Sequence, residues 1–305
     1  MERRYRFGTV KQLRAILIYV AAIVVLGALL APWLFWGGHW LAQHWSVAEK
    51  LGQYPFHRYF NRAIMLVAFV GLFWVARALG VRRWADIGVR RQTGGWRDCG
   101  LGFGAGFISI GTLAALAVLF GGQTLKPDLS GEVIVKVIGK ALATGLIVGV
   151  LEEIFFRGGA YGGMRRGMAV MPALLVSSFI FSIVHFLKPT PVANDYVVHA
   201  WSGFELLATC GQNSFNLPYF ITLLLAGVVL GWAYEKTGAV WLPIGLHAGW
   251  VFGLQLNPRL FAGTDATVAW FGNSRLENGW LCVPLLAAFV VAAWRWKGTN
   301  WRGLR

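Results

Sequence analysis

The sequence consists of long apolar stretches separated by short polar or basic segments. Eight of these stretches reach or approach the length of about 20 residues that crosses a bilayer as a helix. They run over roughly Ala15–Trp36, Ile64–Leu79, Gly100–Gly121, Ala143–Gly163, Ala169–Leu187, Tyr219–Tyr234, Val240–Leu256 and Trp280–Trp294. The pattern predicts an all-α fold, a polytopic membrane helix bundle with about eight transmembrane helices.

The composition agrees with this prediction. Hydrophobic residues make up 57% of the chain and charged residues 13%, and the mean hydropathy is +0.57. A soluble globular domain is more polar and more highly charged, so this class is excluded. We predict a single integral membrane domain over residues 1–305. The three cysteines, Cys99, Cys210 and Cys282, show neither disulfide nor metal-ligand spacing.

The net charge of +15 raises the question of nucleic acid, and the placement of the basic residues answers it. If the N-terminus is cytoplasmic, eighteen of the 28 Lys and Arg residues fall on the cytoplasmic side and seven fall in the opposite loops. Cytoplasmic loops of membrane proteins carry such an excess. The sequence therefore predicts a multi-pass protein of the cell membrane with both termini cytoplasmic, whose partner is the lipid bilayer and not nucleic acid.

The segment Leu151–Gly158 carries two adjacent acids, Glu152 and Glu153, inside a long apolar stretch. A charged side chain in hydrocarbon is costly, so such acids indicate function. Glu153 and Arg157 are four residues apart and share a helix face, which predicts an ion pair. Glu152 projects about 100° away and stays available as a general base. The alternative is a polar knot that only holds helices together.

Two of the six histidines, His185 and His247, lie inside predicted spans. With the acids on a third span, we expect Glu152, His185 and His247 to converge on one polar site. This set could bind zinc, or Glu152 and a histidine could deprotonate water directly. The chain lacks an H-E-x-x-H helix, and neither histidine has a sequence-adjacent carboxylate to orient its second nitrogen. We therefore predict no obligatory cofactor, with zinc as the alternative.

Three short segments resemble known motifs. EEIFFR, FSIVH and TGAVWLPIGLH are similar to the motifs E-E-x-x-x-R, F-x-x-x-H and H-x-x-x-N/D of the CPBP family. That family comprises intramembrane proteases, often labelled metalloproteases, related to type II CAAX prenyl endopeptidases and to bacteriocin-processing and self-immunity (Abi-like) proteins. The specific part covers about Glu152 to Trp250, within a predicted catalytic core at residues 133–256. The resemblance implies an endopeptidase whose substrate is a membrane-associated protein or peptide.

The resemblance also implies a role for each site residue. Glu152 would activate water with help from His185, and His247 would stabilise the developing oxyanion. If a metal is bound, these same three residues would be its ligands. Structural support would come from Glu153, Arg157 and Phe181.

One position departs from the family pattern. Val251 stands where the third motif has Asn or Asp, and its side chain donates no hydrogen bond. Gln255, one turn further along the same face, is a candidate substitute. The departure favours, as an alternative function, a non-catalytic membrane scaffold or self-immunity protein of the same fold. A transporter with a proton relay is a third reading, against which the chain shows no inverted repeat.

Packing is predicted from small residues and loops. The glycines of Gly100–Gly106 and of Gly158–Gly163 should each let another helix approach closely. The basic segment Arg77–Asp98 reads either as an interfacial amphipathic segment or as a solvated linker. The apolar patch His199–Cys210 could form a re-entrant or interfacial lid. A kink or non-helical entry around Gly238–Pro243 is needed to bring His247 to the depth of Glu152.

Overall fold

The structure is a computed structural model of the chain. It describes residues 3–78, 81–90, 94–127, 130–165, 167–187, 189–193, 195–211, 215–272 and 274–295, apart from the side chains of residues 3–13, 76 and 266. The basic side chains of residues 3–13 and 296–305, together with Arg91, Arg166 and Lys188, lie outside the described part. The charge asymmetry and the orientation of the termini therefore stay predictions.

Helices dominate the described residues. The α-helices are α1 (Arg3–His44), α2 (Phe56–Ala78), α3 (Gly95–Leu119), α4 (Gly131–Glu153), α5 (Gly162–Arg165), α6 (Val170–Val184), α7 (Ser202–Ala208), α8 (Leu217–Thr237), α9 (Trp241–Leu260), α10 (Val268–Phe271) and α11 (Cys282–Arg295). A π-helical segment, Ile154–Tyr161, joins α4 to α5. The 3₁₀ segments are Ser46–Gln53, Trp84–Ile87, Asp265–Thr267 and Leu276–Asn278. Two three-residue strands, β1 (Gln123–Leu125) and β2 (Phe261–Gly263), pair antiparallel. The predicted all-α bundle is confirmed.

Five of the described helical runs are long and apolar enough to cross a membrane. They are Arg14–His44, Phe56–Val75, Gly95–Leu119, Gly131–Arg165 and Leu217–Thr237. Two predicted spans correspond to shorter apolar helices, α6 and α11. The remaining predicted span is α9, which has twenty residues and is buried along most of its length. Each of the eight predicted spans thus falls on a helix.

The chain divides into two compact units. The first contains Met1–Gly80 and Ile183–Phe215, and the second contains Val81–Ser182 and Asn216–Arg305. In the first unit, α1 and α2 run antiparallel. Tyr19 donates a hydrogen bond to the carbonyl of Ala68 at 2.5 Å, whereas Gly38, near the other end of α1, lies against the ring of Tyr59.

The apolar patch His199–Cys210 forms the short helix α7 within the first unit. Gly203 lies directly against the backbone of Ala28 in α1, so a side chain at this position would collide with it. Cys210, just after the helix, has a thiol whose pKa is raised by burial. This thiol, like those of Cys99 and Cys282, is free. The patch thus contains a short helix docked on α1, and its role as a lid stays a prediction.

In the second unit, α9 and α3 interlock through glycines. Gly102 and Gly106 of α3 lie against the α9 backbone, and Gly245 and Gly249 of α9 lie against the α3 backbone. A Cβ at any of these positions would overlap main-chain atoms of the opposite helix. Small residues four apart permit such an approach in apolar surroundings. The prediction for Gly100–Gly106 is thus confirmed for its second and fourth glycines.

The opposite side of α9 packs against α4. Gly145 and Gly149 of α4 lie against the α9 backbone, where an added Cβ would come within 2.7 Å of the Ala248 carbonyl and 3.0 Å of the Ile244 carbonyl, respectively. This small-residue pair shows the usual four-residue spacing, yet it was not among the predicted packing faces. Because α9 is held between α3 and α4, its inward side chains have little freedom to move.

The glycine run Gly158–Gly163 contacts both a 3₁₀ segment and a helix. A Cβ at Gly158 would come within 2.5 Å of the backbone of Ile87, which belongs to the 3₁₀ segment Trp84–Ile87 and is buried. A Cβ at Gly162 would lie 3.4 Å from the hydroxyl of Tyr234 in α8. The predicted contact with another helix is thus present at Gly162, and the contact of Gly158 with the 3₁₀ segment was not predicted.

The docking of Trp84–Ile87 bears on the solvated-linker reading of the basic segment Arg77–Asp98. Gly88 has φ +76° and lies against the ring of Tyr234, and its carbonyl accepts from the amide of Val240. Part of this basic segment is therefore a structural element of the second unit and not a solvated linker. Its position at the membrane interface stays a prediction.

Candidate active site

The two acids lie at a change in helix type. Glu153 ends α4, and the π-helical segment Ile154–Tyr161 begins with the next residue. π-helical turns are rare and occur frequently at functional sites. Since a π turn holds more residues than an α turn, it alters the angular positions of the side chains that follow the acids. The distortion therefore coincides with the residues that the sequence singled out.

Glu153 is fully buried, and one of its carboxylate oxygens contacts both the guanidinium of Arg157 and the imidazole of His247. Its Oε1 accepts from Arg157 Nη1 at 2.8 Å and lies 2.7 Å from His247 Nδ1. Arg157, only 3% exposed, also donates to the carbonyl of Gly227 at 3.4 Å. A buried carboxylate needs such partners to offset its desolvation. The ion pair predicted from the four-residue spacing is present, and Glu153 also binds His247, which the sequence had placed beside Glu152.

The bond to Glu153 defines the tautomer of His247. A carboxylate oxygen can only accept, so Nδ1 carries the proton and donates it. In the neutral ring, Nε2 is then an acceptor. The ring reaches Glu153 because the chain leaves α8 at Gly238, with φ +65°, and makes a three-residue connection to α9. The predicted non-helical entry is thus present.

Glu152 occupies the other side of the histidine. Its Oε2 lies 3.9 Å from His247 Nε2, and its side chain is 31% exposed. At this separation the two groups interact electrostatically without a direct hydrogen bond. Oε2 has no hydrogen-bond partner among the described residues. Unlike Glu153, Glu152 is therefore not committed to a hydrogen-bonded ion pair, and its side chain is partly exposed although Oε2 itself is buried.

Aromatic rings close the site cluster, by which we mean Glu153, Arg157 and His247. The Phe181 ring lies edge-on to His247, with centroids 6.0 Å apart. The Arg157 guanidinium sits 4.5 Å from the Phe181 centroid, a cation–π contact that partly replaces hydration. Phe156 packs edge-on against Phe181 at 5.0 Å. These rings exclude water from Glu153 and hold the imidazole in place.

Of the three residues expected to do chemistry, the structure brings together Glu152 and His247. His185 is half-buried in the turn after α6 and belongs to the first unit. Its participation in the site stays a prediction, as do the catalytic roles of the other two.

Zinc was the alternative to direct activation of water, and the donors in the second unit can be compared with its requirements. His247 Nε2 and Glu152 Oε2 face each other, but catalytic zinc sites use three protein ligands. The described residues contain no group of three or more His, Cys, Asp or Glu side chains placed to hold a metal ion. The second unit thus supplies two of the three ligands, the zinc alternative stays a prediction, and we derive no step through a metal.

One sequence argument against zinc is nevertheless wrong. His247 does have a carboxylate that orients its second nitrogen, because Glu153 is shared between Arg157 and His247. The predicted ion pair with Arg157 leaves Glu153 able to bind His247 as well, since one carboxylate oxygen can accept from two donors.

A second charged group, not predicted from the sequence, lies at the other end of the same helical run. Glu235 of α8 accepts from Tyr161 at 2.8 Å and from Nε and Nη2 of Arg165, both at 3.0 Å. We call Glu235, Arg165 and Tyr161 the end cluster. In sequence, Glu235 resembles an ordinary charge at a helix end, so no local pattern indicates its partners.

Comparison with known proteins identifies the segment that holds the site. Residues 134–253 match the family model described as type II CAAX prenyl endopeptidase Rce1-like. Searches of curated proteins and of solved structures returned no match. The matched segment includes Glu152, His185 and His247 and lies within the predicted core 133–256. Together with the five long apolar helices, the match indicates a multi-pass membrane protein. Residues 134–253 of the chain are therefore similar to the Rce1-like type II CAAX prenyl endopeptidases, a family of proteases.

Proposed function

We propose that the chain is an intramembrane endopeptidase that hydrolyses a peptide bond of a membrane-associated protein or peptide. The observation that carries the proposal is the division of labour between two adjacent carboxylates. Glu153 is buried and bound to Arg157 and His247, whereas Glu152 is partly exposed beside the free face of the imidazole. A structural knot would need only the first of these acids.

In the proposed reaction Glu152 acts first as a base. Its carboxylate takes a proton from water, and the resulting hydroxide attacks the carbonyl carbon of the peptide bond. When the C–N bond breaks, Glu152 returns the proton to the leaving nitrogen. Each step moves one proton between Glu152 and the reacting atoms. His185 is proposed to help hold the water, as the family resemblance implies.

His247 is proposed to stabilise the negative charge that develops on the carbonyl oxygen. This role requires the protonated ring, in which Nδ1 donates to Glu153 and Nε2 donates on the side where Glu152 lies. The buried carboxylate of Glu153 then fixes the orientation of the His247 ring, and its negative charge stabilises the positive charge of the ring. A buried acid that orients a catalytic histidine is a recurring arrangement in hydrolases.

The Val251 position favours a second candidate function, a non-catalytic scaffold or self-immunity protein. Val251 follows His247 by one helical turn and cannot donate a hydrogen bond to a substrate. Gln255, the substitute suggested by the sequence, is exposed. A chain that had lost catalysis would keep the site cluster for stability alone.

Cleavage by purified protein in proteoliposomes distinguishes the two functions. Two peptides of one CAAX sequence, with and without a farnesyl group, serve as substrates, because the family match does not establish a prenyl requirement. We expect wild type to cleave at least one of them and Glu152→Ala to cleave neither. Glu132→Ala is the matched control, since Glu132 lies on the same helix in an exposed ion pair with Lys136. Undiminished cleavage by Glu152→Ala would refute the proposal.

A further inference from the structure

The basic loop, by which we mean residues 81–90, packs against the helical run that carries the two acids. The carbonyl oxygen of Ile87 lies so close to Gly158 that a Cβ at Gly158 would come within 2.5 Å of it. Gly158 belongs to the π-helical segment that begins directly after Glu153. The backbone of the basic loop therefore bounds the segment whose first turn sets the position of the acids.

The basic loop also fixes the start of α9, the helix that carries His247. The carbonyl of Gly88 accepts from the amide of Val240 at 3.1 Å, and the carbonyl of Arg90 accepts from the indole N–H of Trp241 at 2.9 Å. Val240 is the last residue before α9 and Trp241 is its first. A displacement of the loop would thus disturb both sides of the site, and a misplacement of about 1 Å can lower a rate by about 10²-fold.

The outer side of the basic loop carries exposed arginines. Arg82 is exposed, as is Arg83, whose side chain is 82% exposed. Asp86, the one acid of the loop, uses Oδ2 to accept from the amides of Arg82 and Arg83 at 3.0 and 2.9 Å. The guanidinium of Arg83 stays 3.8 Å from Asp86 Oδ1, which is beyond hydrogen-bond distance. The acid therefore caps the loop backbone and leaves this guanidinium accessible.

Two exposed tryptophans accompany these arginines. Trp84 is 69% and Trp96 82% exposed. Trp96 packs against Trp241, with ring centroids 5.4 Å apart, and Trp241 is bonded to the basic loop through Arg90. Exposed indole rings are typical of the headgroup level of a bilayer, and a guanidinium binds a phosphate through paired N–H groups. The combination favours the phosphate of a lipid headgroup over a phosphate in solution.

We propose that Arg82 and Arg83 bind the phosphate of an anionic phospholipid headgroup and that this contact holds the basic loop against the site. A ligand that binds the docked loop more tightly than a displaced loop stabilises the docked arrangement. The rate of cleavage then depends on the lipid composition of the membrane. The dependence of the rate rests on the proposed function, whereas the binding of the lipid does not.

Binding is tested by calorimetric titration of the purified protein, in micelles of a neutral detergent, with short-chain phosphatidylglycerol. We expect the double variant Arg82→Gln/Arg83→Gln to bind about tenfold more weakly or worse, with an unchanged thermal midpoint, because both side chains are exposed. The matched control is Arg259→Gln/Arg295→Gln, which removes the same charge from two exposed arginines elsewhere in the second unit and should bind as wild type does. Wild-type affinity in the loop variant overturns the assignment. Equally tight binding of glycerol 3-phosphate by wild type overturns the choice of a lipid.

Cleavage in vesicles tests the effect on the site. In vesicles of phosphatidylcholine and phosphatidylglycerol in equal amounts, wild type is expected to cleave the CAAX peptide about tenfold faster than in phosphatidylcholine alone. Arg82→Gln/Arg83→Gln should lose this ratio of rates. Arg259→Gln/Arg295→Gln should keep it, which excludes an effect of lipid charge on the peptide itself. A loop variant that retains the full ratio contradicts the proposed regulation.

Gly158→Ala tests the contact through which the basic loop acts, since the added Cβ would push the Ile87 carbonyl away. This variant should bind the lipid as wild type does and lose the ratio of rates. Gly159→Ala is the matched control, because its Cβ would meet nothing nearer than the Ile154 carbonyl at 3.7 Å, and it should keep both properties. An unchanged ratio in Gly158→Ala refutes the route through this contact, and the arginine variants decide the regulation if Gly158→Ala does not fold. If wild type cleaves in neither kind of vesicle, the proposed function and the regulation fail, whereas the lipid site is still decided by the titration.

Discussion

The site cluster and the end cluster use the same chemistry in different surroundings. Both pair a glutamate with an arginine on the helical run Gly131–Arg165. In the site cluster Glu153 is 0% and Arg157 3% exposed, whereas in the end cluster Arg165 is 23% and Glu235 16% exposed. Breaking a buried pair is costly because a desolvated charge is left behind. A partly hydrated pair is weaker, because water and ions compete for its members.

The clusters also differ in how completely their acceptors are used. Both oxygens of Glu235 accept hydrogen bonds. In the site cluster Glu153 Oε2 has no partner among the described residues, and a second carboxylate, Glu152, stands beside the histidine. In the end cluster, the acceptors of Glu235 are all used, and the ion pair joins two helices. At the site, Glu153 is fixed and can orient His247, while the neighbouring Glu152 remains able to react. The difference thus separates the structural use of these residue types in the end cluster from the catalytic use that we propose for the site.

The largest expected effect is that of Glu152→Gln on cleavage. The amide keeps the shape of the side chain but cannot accept a proton from water, so we expect the rate to fall by about 10²–10⁴-fold. The free energy of unfolding should change by less than about 0.5 kcal/mol, because Glu152 makes no ion pair like that of Glu153. Peptide cleavage in proteoliposomes and reversible unfolding in mixed micelles measure the two quantities. A variant that loses stability without losing activity would reverse the distinction between the clusters.

Arg157→Ala should show the opposite profile, with stability as the primary loss. The change leaves Glu153 buried with only His247 as its partner, and we expect a loss of about 3–5 kcal/mol in the free energy of unfolding. Reversible unfolding in mixed micelles measures it. Arg157→Lys is the informative companion, because it retains the charge but not the planar group that covers the Phe181 ring, and it should fall between alanine and wild type. Wild-type stability in Arg157→Ala would show that the buried pair is not needed.

The sequence predicted those features that depend on local spacing. The spans follow from runs of apolar residues, and the Glu153–Arg157 pair follows from a four-residue separation. The contact of Gly102 and Gly106 with α9 follows from small-residue spacing. Each feature is encoded within about two helical turns. Local chemistry was therefore sufficient to identify one half of the site, the two acids and their arginine.

The features that the sequence did not predict join residues far apart in the chain. The Glu153–His247 bond spans 94 positions, and no local pattern shows that one carboxylate oxygen takes two donors. The contact of Ile87 with Gly158 was missed because the basic segment was interpreted from its charge, whereas Ile87, the buried residue of its 3₁₀ turn, is apolar. Gly145 and Gly149 show the expected four-residue spacing, so a systematic search for small residues would have found them.

The smallest expected effect comes from the end cluster and tests the contrast with salt. Arg165→Ala removes two hydrogen bonds to Glu235, but water can reach both groups, so we expect a loss of only about 1 kcal/mol and unchanged cleavage. Raising the ionic strength from about 0.1 to 1 M shortens the Debye length from about 10 to 3 Å. The stability difference between wild type and Arg165→Ala should therefore shrink in high salt, whereas that for Arg157→Ala should persist, because ions do not enter a buried pair. Unfolding of both variants at the two salt concentrations measures this. Equal salt sensitivity would show that the two clusters are hydrated alike, and burial would then no longer distinguish the ion pair of the site cluster from that of the end cluster.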